Sequence, residues 1–207
     1  MGLVGIAACK NGIVAIADYE SDNTYKNKLG NIKEEEDRRR PTSKIFSGSG
    51  FIVVAYGSNI IKVRGKDCYL EDQLKFKKAK KIEKVLKKFN KKYFYKEFYG
   101  FLVGYIDKEN KYQIVRYEFN LDTINPNKSK YIKTEYDENG VLFGGDEIYS
   151  KLMNIPFMYT KWETVETITN EVKTRFMKLI EDKKEENVSL MGKKELNCVI
   201  LQKETDK

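Results

Sequence analysis

Chemistry in this chain has to be done without imidazole. None of its 207 residues is a histidine, which removes Ser-His-Asp and Cys-His catalysis and every metal site that uses a histidine ligand. The thiols are Cys9, Cys68 and Cys198. They are far apart and odd in number, and no C-x-x-C spacing occurs, so neither zinc nor dithiol exchange follows and reduced thiols are expected. Cys9 lies inside an apolar run, where a small buried apolar residue is the expected role. Ser43 and Lys44 put a hydroxyl next to an amine, but strand neighbours point to opposite faces and would not meet. What remains is charge. The 39 basic and 31 acidic residues give a net charge of +8, which favours attraction to acidic surfaces without naming one. The densest lysine stretch, Lys75 to Lys96, interleaves Phe76, Phe89, Tyr93, Phe94 and Tyr95. That composition raises a basic nucleic-acid-binding module as one reading. No nucleic-acid-binding motif accompanies it, and the aromatics fall on an apolar helix face, where core packing is the plainer role.

These residues need a frame. At 41% hydrophobic content the chain can build a real core, and its length fits one domain over residues 1–207. The longest apolar stretch, Phe51 to Tyr56, is too short to span a bilayer. Met1-Gly2-Leu3-Val4 has no basic start, so no secretory leader is expected there, and Ile6 replaces the hydroxyl residue a myristoylation signal needs. The expected compartment is the cytoplasm.

Leu3 to Cys9 and Ile13 to Tyr19 read as strands. Between them Asn11-Gly12 is a hairpin signal, because both residues tolerate positive φ. Glu20 to Ser43 reads as an exposed charged loop. Lys44 to Phe46 and Phe51 to Tyr56 form a second hairpin around Ser47-Gly48-Ser49-Gly50. The spacing of Ala79, Ile82, Leu86, Phe89 and Tyr93 predicts one helix over Tyr69 to Tyr93. Strands follow at Phe98 to Ile106, Lys111 to Phe119 and Tyr131 to Tyr136. Asp146 is placed to cap a short helix over Ile148 to Met153. Thr160-Lys161-Trp162-Glu163 fits a capping box, and Val165, Ile168, Val172, Phe176 and Leu179 give a helical period to Asp182. Leu196 to Gln202 is a last strand. Antiparallel hairpins with helices grouped between them predict an α+β layered fold.

Several segments carry a family pattern. Gly2-Leu3-Val4-Gly5-Ile6 stands in the place of Thr-Thr-x-Val-x-x. Asn11-Gly12-Ile13-Val14-Ala15-Ile16-Ala17-Asp18 matches D/N-G-V-V-x-A-A-D. Ser43-Lys44-Ile45-Phe46 matches a K-I-x-x-I segment, Ala55-Tyr56-Gly57-Ser58 an A-G-x-x-A-D end, and Phe143-Gly144-Gly145-Asp146 a G-S-G helix start. In these motifs and in element order the chain resembles the proteasome β-subunits and their HslV-like bacterial relatives, the proteasome-like N-terminal-nucleophile (Ntn) hydrolases.

The resemblance implies a four-layer αββα sandwich across most of the chain. It also implies a chemistry that needs no histidine: an N-terminal threonine hydroxyl attacks the scissile carbonyl and its own α-amino group is the base. A lysine lowers the pKa of that amine, an aspartate positions the lysine, and backbone N–H groups hold the oxyanion. Carried over, Asp18 takes the aspartate position and Lys44 the lysine position. The nucleophile position is Gly2, which has no side chain, and the serine position is Gly145. In a serine peptidase, loss of the nucleophile costs roughly 10⁶ in kcat. The family's Asp-x-x-Ser-Gly-Gly has only a loose echo in Glu186-Asn187-Val188-Ser189 ahead of Gly192. Family precursors cleave themselves after a glycine. This chain has no Gly-Thr pair, and cleavage between Gly48 and Ser49 would discard both first strands and Asp18.

The expectation is therefore a proteasome-like subunit without peptidase activity, with a structural or assembly role in a homo-oligomer, a ring or a stacked dimer. The alternatives are an active threonine-type peptidase or amide hydrolase with an unusual nucleophile, and the basic nucleic-acid-binding module. The resemblance implies no cofactor or metal. Beside the homo-oligomer it implies a polypeptide substrate or an ATPase partner, and neither nucleic acid nor membrane is an expected partner.

Overall fold

The computed structural model describes residues 3–18, 44–56, 60–63, 66–75, 77, 81–90, 99–120, 130–136, 140–145, 160–184 and 196–203. The expectations for Gly2, the loop at 20–43, the capped short helix at 146–153 and the segment 186–192 lie outside them.

The described chain is mixed α+β, mostly strand. A four-stranded antiparallel sheet has the order β10-β1-β2-β11, from Leu142–Gly145, Leu3–Cys9, Gly12–Asp18 and Leu196–Leu201. A five-stranded antiparallel sheet has the order β3-β4-β7-β8-β9, from Ile45–Gly48, Phe51–Tyr56, Tyr99–Ile106, Tyr112–Asn120 and Lys130–Tyr136. Strands β5 (Ile60–Val63) and β6 (Lys66–Tyr69) pair as a separate ribbon.

Three apolar clusters hold these pieces together. Val4, Ile6, Ile13, Ala15, Ala17, Ile52, Val54, Leu102 and Ile114 meet between the two sheets. On the other face of the four-stranded sheet, Leu3, Ala7, Val14 and Ile16 pack on Val165, Ile168, Val172 and Phe176 of a long helix, α3 (Val165–Lys184). On the other face of the five-stranded sheet, Phe51, Val53, Phe101 and Val103 pack on Leu70 and Leu74 of α1 (Leu70–Leu74) and on Ile82 and Leu86 of α2 (Ile82–Asn90). This explains why β1, β2 and β4 read as unbroken apolar runs. All seven residues of β2 are buried, because one of its faces meets a sheet and the other a helix. Alternating polar positions would each need a buried partner.

Three expectations need correction. The helix foreseen over Tyr69 to Tyr93 is two helices, with the backbone at Lys75 already extended at ψ 130°. Lys75, Lys77 and Lys81 fall between the two helices, and a continuous helix would stack Lys77 on Lys81 at a repulsive spacing. The β1–β2 hairpin turns on Lys10-Asn11 with Cys9 opposite Gly12, and neither Asn11 nor Gly12 has positive φ. Gly12 is there for space: a Cβ would lie 2.8 Å from the Leu201 carbonyl and 3.0 Å from Val165 Cγ1. Finally, Thr160 does not cap α3. Thr160–Trp162 is a short 3-10 turn, and the cap is Thr164, whose Oγ1 accepts from Thr167 N at 3.2 Å. Thr160 Oγ1 instead accepts from Gly140 N at 3.1 Å.

Candidate functional site

The register places the family-pattern residues at one end of the sheets. Val4 pairs with Ala17 and Leu3 with Gly145, so β1 begins where β2 and β10 end. Leu196 closes the row opposite Asp18. In the other sheet, Lys44 immediately precedes β3, and its carbonyl accepts from Ala55 N at 2.8 Å near the end of β4.

Across this end the two sheets exchange a charge pair. Lys44 Nζ donates to Asp18 Oδ1 at 2.6 Å, with the side chains only 12% and 4% exposed. The strand run delivers Asp18 to a depth where an unpaired carboxylate would be costly. The hairpin start delivers Lys44, whose long stem lets a residue of one sheet reach the other. Buried charge of this kind is a poor way to gain stability, because desolvation consumes most of the Coulombic gain.

Gly145 joins the same end with φ +102°, a conformation open to glycine and strained for other residues. A serine could not simply take its place on this backbone. Its strand partner is Leu3, the first described residue of β1.

A second polar group spans the sheets nearby and carries no sequence signature. The Arg116 guanidinium donates from Nη2 to the Phe143 carbonyl of β10, and its Nη1 lies 3.3 Å from Glu118 Oε1. Tyr56 donates to the same Glu118 oxygen at 3.4 Å, and the Arg116 guanidinium sits over the Tyr136 ring at 5.8 Å. Burial, then the Glu118 charge, pushes the Tyr56 hydroxyl well above its ordinary pKa. It stays protonated and remains a donor.

The buried Cys9 thiol does not join this end. Cys9 sits at the turn end of β1, 4% exposed. Burial, and secondarily the Glu166 carboxylate, pushes its thiol up to about 12, so it is no nucleophile at neutral pH. Burial also pushes the half-buried Cys198 thiol up.

No family model matches the chain, and no curated protein matches it. Among the described residues, no helix is long and apolar enough to cross a membrane.

Proposed function

We propose that this chain is a proteasome-like Ntn-hydrolase-fold subunit that has no peptidase activity of its own and serves a structural or assembly role in a cytoplasmic homo-oligomer. The observation that carries this reading is the 2.6 Å ion pair of Lys44 with Asp18. It joins the two positions that the family uses to tune its N-terminal amine, at the sheet end where β1 begins. The packing of α1 and α2 on one sheet, sheet on sheet, and α3 on the second sheet supports the four-layer αββα sandwich. The silence rests on composition at the reacting positions. Gly2 offers no hydroxyl, and the φ of Gly145 disfavours a serine there. A Lys-Asp pair with no nucleophile to activate has no covalent chemistry to perform.

The test is intact mass before and after incubation with an epoxyketone, an electrophile that requires an N-terminal hydroxyl and amine together. The expected result is an unchanged mass with no adduct. A stoichiometric adduct, or a mass showing internal self-cleavage, would overturn the silence and point to an active hydrolase with an unusual nucleophile.

A further inference from the structure

Two open sheets leave four edge strands, and one of them differs from the rest. The four-stranded sheet ends on β10 and β11, the five-stranded sheet on β3 and β9. An edge offers unpaired N–H and C=O groups to any other strand, and short length or charge is the usual protection. Strand β3 has four residues, with Ser47 and Gly48 exposed. Strand β10 also has four, and its Phe143 carbonyl accepts from Arg116. Strand β9 has seven residues but carries Lys130, Lys133 and Glu135. Strand β11, Leu196–Leu201, has six residues and no charge. Among the described residues it pairs with β2 alone.

The packing around β11 also stops short. Its neighbour β2 is buried along its whole length, but no residue of β11 is fully buried. Leu196 and Cys198 turn toward α3, Val199 and Leu201 toward the other sheet, and all four are half-buried. Ile200, on the α3 side by alternation, is 43% exposed. The edge is therefore apolar on both faces and incompletely covered on each. A second apolar side chain lies on the same flank. Burial raises the Cys198 thiol and the nearby Lys173 charge opposes this. Met177, 42% exposed, follows Lys173 by one turn of α3.

We propose that β11 pairs antiparallel with β11 of a second copy of this chain across a two-fold axis, joining two four-stranded sheets into one of eight strands. Six paired residues span about 20 Å. The open main-chain groups of each copy satisfy those of the other, and the half-buried side chains on both faces gain cover. The absence of charge is what suits this strand to its own copy. Across a two-fold each side chain comes near its symmetry mate, so a charge on the edge would approach its like. A foreign extended peptide is the other use of an open edge, and its recognition rests on pockets for alternate side chains. The side chains of β11 are apolar apart from Asn197 and supply no charge to select a sequence. This inference rests on the homo-oligomeric reading above and gives it an interface.

The experiment is sedimentation velocity of the full chain over a range of concentrations, with the parent compared with Ile200→Lys and Ile132→Lys. Both variants place a lysine at a partly exposed isoleucine of an edge strand, since Ile132 of β9 is 40% exposed. The expected parent is an even-numbered oligomer. Ile200→Lys brings two like charges near the axis and should weaken association about tenfold or more. Ile132→Lys should stay within about twofold of the parent. Hydrogen exchange of the parent needs no variant: amides of residues 196–201 should exchange about tenfold more slowly in the associated state than after dilution. A parent that stays monomeric at every concentration overturns this inference and the homo-oligomeric reading together. An oligomer that Ile200→Lys leaves intact, that both variants weaken equally, or that shows no concentration-dependent protection at 196–201 overturns the interface alone. Circular dichroism of both variants separates lost association from lost folding.

Discussion

Strands β1 and β2 are anchored by polar side chains at both ends, and the two anchors are built on different principles. At the turn end, Asn11 Oδ1 accepts from Val165 N at 2.9 Å and its carbonyl accepts from Tyr112 OH at 3.1 Å. Lys10 N donates to the Glu163 carbonyl at 2.9 Å. These three bonds each satisfy a main-chain group with a neutral partner, including one of the amides left open at the start of α3, and Asn11 Nδ2 also donates to the exposed Glu166 carboxylate at 3.4 Å. At the other end, Asp18 and Lys44 bury two full charges against each other. The first anchor is what stability alone would select. The second is not, since a well-packed apolar pair would hold the sheets together at least as well. The contrast sets a joint of neutral bonds against a buried ion pair at the two ends of one hairpin.

The largest effect that tests this contrast is at Lys44. Lys44→Met leaves Asp18 buried and unpaired and should cost about 3–5 kcal/mol of stability in urea unfolding. The double variant Lys44→Met, Asp18→Leu should recover most of that loss. If the double variant stays as unstable as the single one, the pair is a structural joint after all. A smaller effect is expected at the turn end. Asn11→Ala removes the acceptor for Val165 N and should cost about 1 kcal/mol, with protection against hydrogen exchange falling first at the start of α3. A loss as large as at Lys44 would erase the distinction between the two ends.

The smallest effect in the neutral range concerns Cys9, also at the turn end. Its pKa is raised from the ordinary 9.0 to about 12, so the folded state holds a proton that the unfolded chain releases. Its contribution is complete below pH 9 and is lost as pH rises from 9 toward about 12. Stability should therefore stay flat through Cys9 up to pH 9 and decline above it, with a shallower decline in Cys9→Ala. Native-state alkylation at pH 8 should leave Cys9 unlabelled, and rapid labelling would contradict its burial.

What could be read from residues alone follows the length and purity of each signal. The runs of β1, β2 and β4 were plain because both faces are apolar, and α3 was plain because five apolar residues keep a helical period. The ribbon of β5 and β6 went unseen because each strand is four residues long and carries lysines. The split between α1 and α2 was missed because apolar spacing was counted and lysine repulsion was not. Asn11 was read as a turn former when its side chain serves a helix far along the chain, at Val165. Asp18 and Lys44 were legible only through resemblance, since nothing in the spacing of an aspartate and a lysine implies that they meet. Arg116 was invisible for the same reason, with its acceptor a backbone carbonyl on another sheet.

The sheet register also has a consequence for biosynthesis. Strand β2 sits between β1, which is made just before it, and β11, the last described strand to be made. The four-stranded sheet cannot close during early elongation. A hairpin with every residue of β2 destined for burial must wait on the ribosome with an open edge, which is the situation that invites misassociation. Ribosome-bound chains halted before β11 should therefore depend on chaperones that shield apolar strands, and that dependence should end once residues 196–201 have emerged.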